Sequence, residues 1–119
     1  MLLVEDESLL RLIMAEALLD DGFEVVEARD GDEAVRLLGG GATFDVLFTD
    51  VRMPGVLDGV DVATHARDRH PTIPVLVVSG YAPHLITRLG VLQPPAHFMS
   101  KPYGLAEVVT KLTHLVEAA

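Results

Sequence analysis

The sequence predicts an α/β domain: an open, doubly wound, five-stranded parallel sheet with helices on both faces. Three observations predict it. Short apolar runs alternate with longer segments of helical periodicity, five times over. The first, third and fourth of these runs are continuously apolar rather than alternating, as in strands covered by helices on both sides. The 119 residues are 50% hydrophobic with a mean hydropathy of +0.36, enough for one core and too apolar for a disordered chain. One domain over residues 1–119 is therefore expected.

The elements follow in order. MLLVE (1–5) is strand-like and too short for a helix. SLLRLIMAEALLDDG (8–22) places Leu9, Leu10, Ile13, Met14, Ala17 and Leu18 on one helical stripe, and Gly22 stops it. FEVVEA (23–28) is β-rich. DGDEAVRLLGGG (30–41) reads as a helix opened by Asp30, with Glu33 in capping-box position, and closed by Gly39, Gly40 and Gly41. FDVLFTD (44–50) is the third strand, and DGVDVATHARDRH (58–70) is a helix ended by Pro71. IPVLVVSG (73–80) is the fourth strand. PHLITRLG (83–90) is a weak short helix, cramped by Gly90 and Pro94-Pro95. AHFMS (96–100) is a short fifth strand. GLAEVVTKLTHLVEA (104–118) closes the chain as a helix with Leu105, Val108, Val109, Leu112, Leu115 and Val116 inward.

The net charge of −9 and pI near 4.8 argue against direct nucleic-acid binding, which needs a basic footprint, and against an anionic membrane surface. No stretch approaches the roughly 20 apolar residues of a membrane span. No signal peptide is visible, because Glu5-Asp6-Glu7 follows after four residues. The lack of cysteine removes disulfides and thiolate zinc sites and fits the cytoplasm, the expected location.

In doubly wound sheets a ligand sits beyond the carboxyl ends of the strands, at the topological switch point. Strand one delivers Glu5 and Asp6 to that edge, strand three Asp50, strand four Ser79 and Gly80, and strand five Lys101. Strand two ends in Glu27-Ala28 and delivers nothing essential. A lone strand-end acid is often just a helix cap, so the combination carries the meaning. Two carboxylates about 4 Å apart repel by roughly 4 kcal/mol at an effective dielectric of about 20. One lysine cannot neutralise three acids, but a bound hard cation can. Oxygen ligands without Cys or a suitably placed His favour Mg²⁺ over zinc. A carboxylate can also act as a nucleophile and carry an aspartyl-phosphate. Such transfer needs mainly positioning and charge neutralisation. Mg²⁺ and Lys101 can supply the neutralisation, the Ser79 hydroxyl a hydrogen bond, and Gly80 the room.

The motifs VEDE (4–7), DVRMPG (50–55) with DG (58–59), VSG (78–80) and KP (101–102) stand in this order, each after a strand. Over the whole chain they resemble the receiver domain of two-component response regulators. The resemblance implies the flavodoxin-like strand order 2-1-3-4-5. It implies that Asp50 is the phospho-acceptor and that Asp6, Asp50 and the backbone carbonyl of Arg52 ligate Mg²⁺, with Glu5 acting through water. It makes Lys101 the phosphate-binding lysine, Ser79 the switch hydroxyl and Phe98 the switch aromatic. The Lys101–Pro102 bond is expected to be cis, otherwise a minority form. The implied phosphoryl donor is a histidine kinase or histidine phosphotransfer protein, and the implied state is a monomer or weak dimer. Glu5 stands where Asp is commoner in the family, and Ser79 where Thr is commoner. The loop MPGVLDG (53–59) is one residue longer than the usual form.

Other functions are weaker readings. A degenerate receiver, acting as a docking module without phosphorylation, would lack part of the acid–hydroxyl–lysine set, and none is missing. A Mg²⁺-dependent phosphatase with an Asp nucleophile usually has a second acid two residues later, where this chain has Arg52. A flavin-binding domain of the same fold needs a hydroxyl- and glycine-rich loop after strand one, where EDES is anionic. His65, His70, His84, His97 and His114 have no metal-like spacing and read as surface or boundary residues. Tyr81 and Tyr103 flank the site edge.

Overall fold

The structure is a computed structural model that describes residues 1–80 and 85–118. Tyr81 and His84 therefore lie outside the described residues. The strands are β1 (Leu2–Val4), β2 (Val26–Ala28), β3 (Leu47–Asp50), β4 (Val75–Ser79) and β5 (His97–Ser100). The helices are α1 (Ser8–Asp20), α2 (Gly31–Gly39), α3 (Gly59–Arg69), α4 (Leu85–Gly90) and α5 (Leu105–Ala118). The sheet is parallel throughout and ordered β2-β1-β3-β4-β5, as expected.

Alternation along each strand splits the core into two layers. Leu2, Val4, Leu47, Val75 and Val77 pack with α2 and α3 residues such as Ala34, Leu38, Val62 and Ala66. Leu3, Phe48, Leu76 and Val78 pack with Met14 and Leu18 of α1 and Val108 and Leu112 of α5. Both faces are covered, which explains the continuously apolar strands.

Three local expectations are corrected. The α1 stripe is turned: Met14, Ala15 and Leu18 are buried, whereas Leu9 and Ile13 are 63% and 43% exposed. The helix is apolar around much of its girth, so periodicity alone leaves two stripes open. The core takes the stripe that packs with Leu3 and Phe48, and in that setting the Arg11 Nη1 donates to the Glu5 carbonyl at 2.9 Å and its Nε to Glu27 at 3.3 Å. Leu105 is 39% exposed, at the first residue of α5, one turn before its first buried side chain, Val108. β2 is only three residues long, because it pairs with three residues of β1: Leu2 with Val26, Leu3 with Glu27 and Val4 with Ala28.

The caps differ in detail from expectation. Asp30 accepts from the Glu33 amide at 2.8 Å, but Glu33 accepts from the Arg29 amide, one residue before the cap. The complete capping box is at α3. There Asp58 accepts from Val60 and Asp61 amides, and Asp61 accepts from the Asp58 amide. Buried Arg67 donates to the carbonyls of Ile73, at 2.7 Å, and Pro94, tying α3 to the segments that lead into β4 and β5. The Lys101–Pro102 bond is cis, and so is Gln93–Pro94. Among the described residues, no helix is long and apolar enough to cross a membrane.

Gly59 shows why α3 starts as it does. A Cβ there would lie 2.0 Å from the Asp50 carbonyl oxygen, so only glycine lets α3 approach the end of β3. The Gly59 amide donates to the Val51 carbonyl at 2.9 Å. Gly59→Ala is expected to lower stability by about 1–3 kcal/mol through backbone displacement. Gly90→Ala, where a Cβ meets nothing within 4 Å, is expected to be neutral or slightly stabilising. Urea denaturation of the two variants tests the contrast.

Candidate functional site

The strand register brings the chemistry-bearing residues to one edge. β1 ends at Val4, opposite Thr49 of β3, so Glu5 and Asp6 emerge beside Asp50. Asp50 is opposite Val78, which places Ser79 one residue beyond it on β4. Ser79 is opposite Ser100, which places Lys101 just past β5.

Asp50 is buried and held by two bonds. Its Oδ1 accepts from the Val51 amide at 2.7 Å, and its Oδ2 from the Lys101 ammonium at 2.6 Å. The buried Thr49 hydroxyl donates to the Asp50 carbonyl at 2.7 Å, fixing the backbone beneath it. Glu5 is also buried and accepts from the Glu7 amide at 3.2 Å. Asp6 is exposed. Carboxylate oxygens of Glu5, Asp6 and Asp50 lie within 4.8 Å of one another.

The electrostatics show an excess of negative charge. Burial, reinforced by Asp50, pushes the Glu5 carboxyl up to about 7, even though the Glu7 amide and Lys101 oppose the rise. Burial works against the Lys101 ammonium, but its bond to Asp50 and the nearby acids raise its pKa above the ordinary value. Half-buried Tyr103 packs beneath the acids, and its burial raises the phenol pKa. The donor set is all oxygen, with one ammonium against three carboxylates, and this fits a hard divalent cation.

Asp50, Arg52, Ser79, Gly80 and Lys101 line a cavity of about 490 Å³. Ser79 is buried at its wall, and a Cβ on Gly80 would meet no atom within 4 Å. Phe98 is half-buried, packed against the layer formed by α2 and α3. His65, His97 and His114 are exposed and His70 half-buried, and none joins the acidic group. Sequence reasoning missed three contributors: Arg11, Thr49 and the steric role of Gly59. Arg11 carried a weak signal as a lone base on an apolar helix. Thr49 carried none.

The response regulator receiver domain family model matches residues 1–113. The chain belongs to this family. As a receiver domain it is a signalling domain of two-component systems. It is 34% identical over 117 residues to the sensor kinase CckA of Brucella abortus, covering 98% of this chain and 12% of that protein. It is 34% identical over 113 residues to a cyclic di-GMP phosphodiesterase of Thermotoga maritima, covering 95% of this chain and 30% of that protein. It thus spans less than a third of either relative. The crystal structure of a response regulator receiver protein from Sinorhizobium medicae superposes with a TM-score of 0.90 at 34% identity, covering 98% of this chain and 93% of that one.

The Glu5 shift makes stability depend on pH in the receiver domain without metal. The folded carboxyl titrates near 7 and the ordinary one near 4.5, so folding favours the protonated form. That stability is complete below about pH 4.5 and is lost as pH rises through about 7. Denaturant titrations in EDTA should show a loss of about 1–3 kcal/mol across this window that Glu5→Gln removes. An equal pH dependence in the variant would rule Glu5 out as its source.

Proposed function

We propose that this receiver domain is a phospho-accepting switch. Its Asp50 takes a phosphoryl group from a phosphohistidine on a partner histidine kinase or phosphotransfer protein. The observation that carries this reading is Asp50 itself: a buried carboxylate bonded to Lys101 at 2.6 Å, clustered with Glu5 and Asp6, and open to a cavity.

A carboxylate oxygen of Asp50 attacks phosphorus, the P–N bond to the partner's imidazole breaks, and the imidazole leaves with that electron pair. The product is an acyl phosphate on Asp50. Lys101 moves from the free carboxylate to a phosphoryl oxygen, and the Ser79 hydroxyl hydrogen-bonds another. Asp6, Asp50 and the Arg52 carbonyl would hold Mg²⁺, with Glu5 acting through water. When bound, Mg²⁺ supplies positive charge to the phosphoryl oxygens. Thr49 and the Val51 amide hold Asp50 in place through the step. Water later attacks the acyl phosphate and restores the carboxylate, so the domain catalyses only its own phosphorylation and dephosphorylation.

The added charge near −2 biases a two-state surface that partners select. Ser79 and Phe98 would couple the phosphoryl group to that surface. The switch unit is the chain 1–119, acting in the cytoplasm without direct contact to nucleic acid.

Intact mass after incubation with acetyl phosphate tests the reading. One added phosphoryl group is expected with Mg²⁺, and none with EDTA or in Asp50→Asn. Lys101→Ala should slow the modification by about 10²-fold, the loss typical of one electrostatic stabiliser. If neither acetyl phosphate nor beryllofluoride, a stable phosphoryl mimic, engages the Mg²⁺-loaded wild type, the domain is a docking module instead.

A further inference from the structure

We propose that Arg11 of α1 is a positioning residue for the acidic site. It holds the peptide unit that joins Glu5 to Asp6, and through that unit the two acids beyond β1 that would serve Mg²⁺. The proposal rests on the phospho-accepting reading above, and on its Mg²⁺ site in particular.

Glu5 and Asp6 lie on the turn between β1 and α1, past Val4, the last residue of β1. The helix cap does little to hold this turn. Glu7, the N-cap of α1, makes no side-chain capping bond, and its amide donates instead to a Glu5 carboxylate oxygen at 3.2 Å. The backbone at Glu5 is pinned from outside the turn. Its amide donates to the Ala28 carbonyl at the end of β2, at 3.1 Å. Its carbonyl accepts from Arg11 Nη1 at 2.9 Å. A peptide unit is planar, so a bond to the Glu5 carbonyl also fixes the Asp6 amide and the direction in which the Asp6 Cα leaves that plane. Asp6 is exposed, and this plane sets where its side chain starts.

Arg11 is itself held. Its side chain is 20% exposed, and its Nε donates to Glu27 Oε1 at 3.3 Å. Glu27 lies on β2, opposite Leu3. The guanidinium is a rigid plane with donors in a fixed fork, so one group joins β2, α1 and the acidic turn. β2 sends no ligand to the carboxyl edge, yet it braces that edge through Ala28 and Glu27.

The charge of Arg11 works against Mg²⁺ rather than for it. A cation near Glu5, Asp6 and Asp50 repels a second cation, so on charge alone its removal strengthens Mg²⁺ binding. Positioning predicts the reverse. The sign of the change therefore separates the two roles.

The test is titration with MgCl₂ at constant ionic strength, followed by backbone amide NMR, on wild type, Arg11→Met and Arg11→Lys. Arg11→Met keeps an unbranched stem on the helix and removes both the donors and the charge. It should bind Mg²⁺ about ten-fold more weakly, the low end for residues that orient a metal ligand without touching the metal. Arg11→Lys keeps the charge and a donor and should fall between them. Urea denaturation in EDTA confirms that each variant is folded and measures the stability lost with the tie. Equal or tighter Mg²⁺ binding by Arg11→Met, whatever its stability, would make Arg11 a structural tie only. That result would overturn the proposal and leave the phospho-accepting reading intact. Failure of the wild type to bind Mg²⁺ would overturn both.

Discussion

The bond between Lys101 and Asp50 is the constraint around which the carboxyl edge is organised. It joins residues 51 apart in sequence and spans from the end of β3 to the end of β5, across β4. Three carboxylates share that edge, and at an effective dielectric near 20 each close pair repels by several kcal/mol. Lys101 offsets one of them. Burial, reinforced by the charge of Asp50, raises the pKa of Glu5, and the remaining excess of acids is a donor set that fits a divalent cation. On the proposed reading, the same imbalance equips the edge for phosphoryl chemistry.

That charge distribution is tolerable because the rest of the fold is rigid and apolar. Two packed layers hold β3 between β1 and β4 with fixed register. A one-residue slip in any strand would turn its apolar residues from one layer to the other, so register is strongly specified. Register in turn sets the spacing of Glu5, Asp50, Ser79 and Lys101. Arg11 adds a tie from α1 to the Glu5 carbonyl, on a helix whose Leu9 and Ile13 face outward.

On the other side of the sheet, close approach rather than charge does the work. α3 begins against the Asp50 carbonyl because Gly59 has no side chain, and its first turn carries a complete capping box. This contact ties the end of β3 to the start of α3. Among the described side chains of α4, Arg88 bonds Asp58 and Leu89 is buried.

The fold class, the strand order implied by the resemblance and the residues that meet at the site were legible in the sequence. Continuous apolar runs, helical stripes and strand-end polar residues are local patterns, and a parallel sheet projects its strand ends to one edge. Local patterns do not say which of two apolar stripes on α1 faces inward. Packing of Met14 and Leu18 with Leu3 and Phe48 of the sheet decided that. They do not say that Leu105 is exposed at the start of α5 or that β2 pairs over only three residues of β1. The DG at 58–59 was visible as a motif, but its meaning lies in a close approach to a residue nine positions earlier, where a Cβ on Gly59 would stand 2.0 Å from the Asp50 carbonyl oxygen. The Arg88–Asp58 pair spans 30 residues and leaves no periodic trace. By itself the sequence determined which groups reach the carboxyl edge, because β-strand geometry is local. Only the tertiary structure decided how those groups are braced, because bracing depends on contacts between segments whose spacing follows no period.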